Sequence, residues 1–347
     1  MRFAVSATLD AIEGRLTLDP ALARGVVDLA EVVRLVDLDS DEAKPASLRR
    51  LGHVIDALGA HLAEDGVAVY PVVDRSVLSD LDLTSNERMV VRRWADDRLV
   101  EVLDEPGDRV LELAELLGVP VVSRQTFPQW SERYPWLPGG LLAPGPIGVS
   151  ARGEPHPGRA GSRVMTRVWR CPEPGCATFA DASGAQPPPR LVTGAPTCPR
   201  HRQRLADAGP RPQTRVRAVR IDGTVRRRVV VRPETPLLVG RAPESGLSLS
   251  PWLGEEAMRW ISRSHLRLEL HGDALWVVDS STNGTTVRTR GGPVRLGSGQ
   301  AYELADDDVV ALYEGVELAR PAVLPGGAVA PSSVMAEAPT IAIRRPH

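Results

Sequence analysis

The chain has 347 residues, with 42 basic against 44 acidic side chains and a formal net charge of −2. That length accommodates two or three domains, and the balanced charge excludes a global attraction to nucleic acid or membrane. No run approaches the ~18 consecutive apolar residues of a transmembrane helix, and three cysteines cannot all pair as a secreted disulfide scaffold would require. Met1 to Val5 lacks a signal-peptide run, so a cytoplasmic protein without membrane contact is expected.

In the first third, Val32–Asp37 reads as a strand ending in an acid. Leu48–Leu62 has helical spacing, with Leu51, Ile55, Leu58 and Leu62 on one face. Val67–Val73 is a strand running into Asp74. Thr84-Ser85-Asn86-Glu87 is a capping box opening a helix that carries Met89, Val90 and Trp94. Leu99–Leu103 is a strand, Asp108–Leu117 a helix, and Val119–Val122 another strand. Such alternation predicts an α/β domain over residues 1–137, a parallel sheet flanked by helices. Sites in these sheets form beyond the carboxyl ends of the strands, where Asp37 and Asp74 are expected.

The order of these elements over about residues 30–135 resembles the PIN-like NYN nucleases, particularly the Regnase-type ribonucleases. The resemblance implies Asp37 as the first acid, Gly107-Asp108-Arg109 as the second acidic segment, and Val121-Val122-Ser123 as the last strand. Asp37 and Asp108 would then be the catalytic residues of a Mg²⁺-dependent ribonuclease. The sequence departs from the family where Gln125 and Gln129 replace acids and Arg124 adds positive charge. A neutral amide is a poorer Mg²⁺ ligand than a carboxylate. Asp39 and Asp74 are the available substitutes, and Asp108 also suits the first turn of any helix. The expectation is an inactive, nuclease-shaped domain with RNA or another protein as partner; Mg²⁺ is needed only if it is active.

Residues 138–161 hold 12 prolines and glycines among 24 residues, which marks a linker. A small zinc-ribbon-like segment is expected over 162–212. Cys171-x4-Cys176 and Cys198-x2-His201 enclose a gap of 21 residues and use all three cysteines. A Cys3His set is a closed structural zinc site without an open catalytic position, and metal binding folds segments of this kind. Glu173 is a less suitable ligand beside three thiolates. Residues 200–232 carry 11 arginines against Asp207 and Asp222; they read as a solvated linker or as an RNA or phosphopeptide contact.

The last third alternates apolar and polar residues in short strands: Leu266–Leu270, Leu275–Val278, Thr286–Thr289, Val294–Leu296, Ala301–Leu304 and Val309–Tyr313. This predicts an all-β sandwich over 213–320. Three strings sit between its strands: Gly240-Arg241, Ser262-Arg263-Ser264-His265, and Ser281-Thr282-Asn283-Gly284-Thr285. In that order, over about residues 225–320, they resemble the forkhead-associated (FHA) domain, a module that binds phosphothreonine peptides. The resemblance implies that Arg241, Ser262 and Thr282 hold the phosphate, Arg263 assists, and Asn283 grips the peptide main chain. His265 would buttress the loop, with Gly240 and Gly284 as structural glycines. An arginine fork and converging hydroxyls suit a dianion with three acceptor oxygens. The implied partners are a phosphothreonine-containing protein and a Ser/Thr protein kinase.

The loop from Arg241 to Ser262 is longer than this family usually has. Its apolar residues, Pro251-Trp252-Leu253 and Met258-Arg259-Trp260, either cover the sandwich edge or shape the peptide pocket. Residues 321–347 read as a disordered tail. Thr340, after Glu337-Ala338-Pro339, is a candidate phosphosite that could occupy the chain's own pocket.

Overall fold

The structure, a computed structural model, describes residues 2–39, 43–104, 107–152, 161–180, 186–322 and 333–337. It comprises two compact units. One holds Met1–Leu18, Ala23–Ser162 and Val323–His347; the other holds Asp19–Leu22 and Arg163–Ala322. Among the described residues, no helix is long and apolar enough to cross a membrane.

The first unit opens with α1 (Arg2–Glu13), β1 (Ala23–Asp28), α2 (Leu29–Val32), α3 (Arg49–Leu62) and β2 (Ala68–Asp74). It continues with α4 (Ser85–Asp96), β3 (Glu101–Leu103), α5 (Arg109–Leu117), β4 (Val121–Val122), α6 (Leu137–Gly140), β5 (Leu141–Gly145) and β6 (Gly148–Ala151). The sheet order is β3-β2-β1-β4-β5-β6, parallel through β5 with β6 antiparallel at the edge. Neighbouring residues on the strands face opposite cores. Val27, Val69, Val73, Val122 and Leu142 pack with α1, α3 and α4, whereas Val26, Tyr70, Val72, Val121 and Leu141 pack with α5. Strands buried on both faces read as continuous apolar runs. The capping box forms as expected: the Thr84 hydroxyl accepts from the Glu87 amide, and the Glu87 carboxylate accepts from the Thr84 amide.

Three expectations are corrected here. Val32–Asp37 is not a strand; it is the end of α2 followed by a turn and a 3₁₀ helix at Val36–Leu38. Leu29, Val32 and Val33 are buried at a helical spacing, and the Asp28 carboxylate accepts from the amides of Ala30 and Glu31, starting the helix directly after β1. The first strand therefore ends at Asp28, not Asp37. Residues 138–161 are not simply a linker, because 141–145 and 148–151 form a hairpin on the sheet. β4 pairs only Leu141 and Leu142, so the missing amide of Pro144 costs that ladder nothing.

Nor is the tail uniformly structureless. Residues 333–337 return to α3, where Asp56 accepts from the Ser333 hydroxyl (2.6 Å) and the amides of Val334 (2.7 Å) and Met335 (3.0 Å). Val334 is buried in the core, and Met335 sulfur occupies space that Gly52 leaves by having no Cβ. Thr340 lies outside the described residues. Asp56→Ala should release this segment, speeding hydrogen exchange at Val334 and Met335 by at least ~10-fold, since bonds to a charged acceptor are each worth about 1.5–3 kcal/mol. Unchanged exchange would mean that the carboxylate does not hold the tail.

In the second unit β7 (Arg167–Arg170) pairs with β10 (Ala206–Pro210), enclosing the hairpin of β8 (Arg190–Val192) and β9 (Ala195–Thr197). Next come β11 (Arg215–Ile221), β12 (Thr224–Val231), β13 (Leu237–Gly240), β14 (Leu247–Ser248) and α7 (Glu255–Trp260). The remainder is β15 (Leu266–His271), β16 (Ala274–Asp279), β17 (Thr285–Thr289), β18 (Gly292–Leu296), β19 (Ala301–Leu304), β20 (Val309–Tyr313) and β21 (Val316–Ala319). The two sheets run β12-β11-β21-β20-β17-β18 and β14-β13-β15-β16-β19. One apolar core draws from both, so they form a sandwich. Much of the arginine-rich stretch is therefore sheet, not linker: Val219, Ile221, Val229 and Val231 face that core between the arginines of β11 and β12.

Candidate functional site

Pairing of the strands brings the three sequence strings to one end of the sandwich. Antiparallel β13 and β15 set the end of one beside the start of the other, and Leu266 pairs with Asp279 at the end of β16. The loops after Gly240, before Leu266 and after Asp279 consequently meet. Arg241 N donates to Ser262 O (3.0 Å), Ala242 N to Arg263 O (3.2 Å), and Thr282 N to Ser262 Oγ (3.2 Å). Arg241, Ser262 and Thr282 are thus tied within one small backbone network.

Each side chain has a defined state. Arg241 Nε is buried with no acceptor among the described residues. Ser262 Oγ accepts from Thr282 N, which leaves its own proton to donate. Thr282 and Arg263 are exposed at the rim. The Asn283 amide donates to Trp260 O (2.8 Å), so its carbonyl oxygen stays available for a peptide N–H.

Gly240 is required by close approach. A Cβ there would overlap Arg263 O and lie 2.9 Å from His265 N. Gly240→Ala should destabilise the sandwich by about 1–3 kcal/mol through overpacking and loosen the loops, read as a lower melting temperature. A melt identical to the native chain would contradict this packing. Gly284 has φ +76°, and a Cβ there would lie 2.7 Å from Leu296 O.

Beneath the loops lies a polar brace that the sequence did not disclose. Asp279 is fully buried, and its Oδ1 accepts from Ser281 Oγ (2.8 Å) and Thr285 Oγ1 (2.6 Å). Ser281 Oγ in turn accepts from Gly284 N (2.7 Å), and Arg295 donates to Asn283 O. His265 is buried, and its Nδ1 accepts from Ser262 N (3.2 Å). Burial holds its imidazole pKa below the ordinary value, against the pull of Asp279. Asp279 had a local signal, an acid closing a strand two residues before Ser281. Arg295 had none, since it reaches the loop from β18.

The long loop covers the sandwich edge and also borders a groove beside Arg241. Leu249, Ala257 and Ile261 enter the sandwich core. Trp252 and Leu253 pack against that core, and Leu253 and Met258 also line an open groove of about 540 Å³ together with Arg241, Glu255 and Arg259.

Cys171, Cys176, Cys198 and His201 converge, with one ligand atom from each lying within 4.8 Å of the others. Cys176 Sγ and Cys198 Sγ are 3.8 Å apart; His201 Nδ1 lies 3.3 Å from Cys171 Sγ and 3.6 Å from Cys198 Sγ. A tetrahedron with metal–sulfur bonds of about 2.3 Å has edges near 3.8 Å, so the cluster could hold a metal such as zinc. Cys171 N to Phe179 O (3.0 Å) closes one knuckle, and Cys198 N to Gln203 O (2.9 Å) closes the other. Phe179 N also donates to Cys176 Sγ (3.4 Å).

In the first unit, the acids named from sequence are engaged separately. Asp37 is held by both Arg124 nitrogens (2.8 and 2.7 Å), which draws its carboxyl below the usual range. Asp108 accepts from Tyr134 Oη (2.8 Å) and pairs with Arg133 (2.6 Å). The strand order reverses between β1 and β4, and the acids at those carboxyl ends are Asp28 and Glu31. Glu31 accepts from Ser123 Oγ (2.6 Å) and Arg124 N (2.7 Å). Burial pushes the Asp28 carboxyl up, and Glu31 and Asp74 add smaller charge effects in the same direction.

The family model for the FHA domain matches residues 237–313. Among solved structures, the FhaA FHA domain, in complex with the intracellular domain of Rv3910, is 28% identical and matches 30% of this chain and 97% of its own, with TM-score 0.23. An FHA structure named Rv0020c is 31% identical over 30% of this chain and 94% of its own (TM-score 0.22). The Rv1747 FHA-1 domain of Mycobacterium tuberculosis is 22% identical over 30% and 94% (TM-score 0.22). A search of curated proteins returned no match.

Proposed function

Because residues 237–313 form an FHA domain, we propose that the chain is a phosphothreonine-dependent protein-binding adaptor in Ser/Thr kinase signalling. The carrying observation is that hydrogen bonds tie the loops of Arg241, Ser262 and Thr282 together at one end of the sandwich, where Arg241 also lines an open groove. A guanidinium there suits a dianionic phosphate. In this reading Arg241 forks two phosphate oxygens, Ser262 and Thr282 donate hydroxyls, Arg263 adds charge at the rim, and Asn283 holds the peptide backbone. Gly240, His265 and Gly284 keep the loops in register.

The Cys3His cluster is read as a structural zinc site, with Cys171, Cys176, Cys198 and His201 as ligands. When bound, the ion cross-links the two knuckles and supplies no chemistry to the phosphopeptide site. The N-terminal unit is read as a PIN-like scaffold for RNA or protein, without catalysis. Asp37 and Asp108 are each neutralised by an arginine, which weakens both as Mg²⁺ ligands.

A pool of phosphothreonine peptides, with matched phosphoserine and unphosphorylated pools, tests the adaptor reading by fluorescence anisotropy on the full chain. Binding confined to phosphothreonine is expected; equal binding to all three would overturn it. The competing reading, a Mg²⁺-dependent ribonuclease targeted by the FHA domain, is favoured by Asp28, Glu31 and Asp74 near the strand ends. Single-stranded RNA cleavage that needs Mg²⁺ and stops with Asp28→Asn would establish that reading.

A further inference from the structure

We infer that Ser333 is a modification site: a phosphate on its hydroxyl releases residues 333–337 from α3 and uncovers the apolar notch they fill. The notch is shaped for this segment. A Cβ on Gly52 would lie 2.5 Å from the Met335 sulfur and 3.3 Å from the Ile12 side chain, so α3 carries no side chain where the tail seats. Glycine weakens a helix interior, and here the gap it leaves receives a methionine from the far end of the chain. Asp56, four residues on and on the same face of α3, accepts from Ser333 Oγ (2.6 Å), Val334 N (2.7 Å) and Met335 N (3.0 Å). Val334 is buried among Leu9, Ile12 and the rest of the first unit's core.

Ser333 Oγ is where this attachment can be broken chemically. It donates to Asp56 Oδ2 and accepts from Ala336 N (3.1 Å), so one hydroxyl both ties the tail to α3 and starts its 3₁₀ turn, Met335–Glu337. Ser333 is partly exposed. A segment held by a few hydrogen bonds and one valine opens locally far more often than the domain unfolds. A Ser/Thr protein kinase acting on the opened form transfers the γ-phosphoryl group of ATP. The Oγ–P bond forms as the bond to ADP breaks, and the hydroxyl proton passes to the kinase's base. The product has no proton to donate to Asp56, and it sets close to two negative charges against that carboxylate. Neighbouring charges offer little to receive them. Asp10 and Glu13, the charged side chains described on α1, are acidic. His53, one turn before Asp56, is held below its ordinary pKa by burial and stays largely neutral at pH 7. Arg50 is committed to the carbonyls of Val33, Lys44 and Pro45. Arg49 lies about 10 Å from Asp56 along the helix axis. The phosphate therefore blocks the tail's return to the notch.

The test compares full chains with serine or phosphoserine at position 333, the latter incorporated during translation, by hydrogen exchange at Val334 and Met335. Phosphoserine should speed exchange at least ~10-fold, the effect of losing one bond to a charged acceptor. In Asp56→Asn the carboxylate charge is gone, so the phosphoserine-to-serine ratio of exchange rates should fall toward one. That cycle isolates the contact between the two side chains from any general loosening. Ser333→Ala, which removes the hydrogen bond and adds no charge, should speed exchange by a smaller factor, and it keeps the comparison readable if the phosphorylated chain folds poorly. Native exchange in the phosphoserine chain, or a ratio that survives Asp56→Asn, would overturn the inference. So would mass spectrometry that finds Ser333 unmodified in chain purified from its native cells while their Ser/Thr kinases are active. The release takes place within the first unit, so failure of phosphothreonine peptides to bind the C-terminal module would leave it standing.

Discussion

Arg241→Ala is expected to weaken phosphothreonine-peptide binding by at least ~100-fold, with the melting temperature almost unchanged. Both halves follow from one geometry. The Arg241 backbone amide donates to Ser262 O, and its carbonyl accepts from Ser248 Oγ (2.9 Å), so main-chain bonds fix the loop whatever the side chain. The Arg241 side chain has no hydrogen-bond partner for its Nε among the described residues. Truncating it therefore leaves the bonds that hold the loop in place. With a phosphate present, two charge-assisted hydrogen bonds at about 1.5–3 kcal/mol each disappear. At about 1.4 kcal/mol per tenfold, that loss exceeds 100-fold.

Arg241→Lys separates charge from geometry. It keeps the positive charge but loses the fork, so it should recover only part of the affinity. Binding should also weaken below about pH 6, where the phosphate takes up its second proton. An anisotropy titration in which Arg241→Ala matches the native chain would remove the assigned pocket. A large fall in melting temperature would show instead that the side chain is structural.

The C-terminal module was legible in the sequence for a physical reason. Its strands alternate in period two around one core, and its candidate phosphate-binding residues sit in loops whose strings are short and local. Leu266, Leu268 and Leu270 point inward as their spacing required. The first unit misled at the point where local pattern is ambiguous. In Val32-Val33-Arg34-Leu35-Val36 an apolar run fits a strand or a short buried turn equally, and tertiary packing chose the turn. The true first strand, Ala23–Asp28, contains Arg24 and Gly25, which weaken its apolar signal. Gly25 is there because Leu58 and Val122 crowd the strand: a Cβ would meet Leu58 at 2.9 Å. Likewise the glycines and prolines of 138–151 read as a linker and hid the two short strands among them. The tail's attachment had no sequence signal, since its acceptor, Asp56, lies 277 residues from Ser333.

Removal of the metal should unfold the segment around Cys171–His201 while leaving the sandwich intact. The apolar core of that segment beyond its cysteines is small: Phe179, Leu205 and part of Trp169. So small a core cannot offset the entropy of ordering the segment, and a structural zinc ion contributes folding free energy directly in sites of this kind. Cys198 is wholly buried and faces both Cys176 and His201, so Cys198→Ser should have the largest effect of the four. Metal analysis of the purified chain should give one zinc per molecule, falling to zero in Cys198→Ser or after chelation. The loss should redden Trp169 fluorescence and open residues 162–212 to protease. No described residue of that segment belongs to the sandwich core, so phosphopeptide affinity should survive the same treatment. Zinc-free protein with an unchanged Trp169 spectrum and full protease resistance would show that hydrogen bonds such as Cys171 N to Phe179 O suffice without an ion. In that case the cysteines would be buried thiols and not ligands.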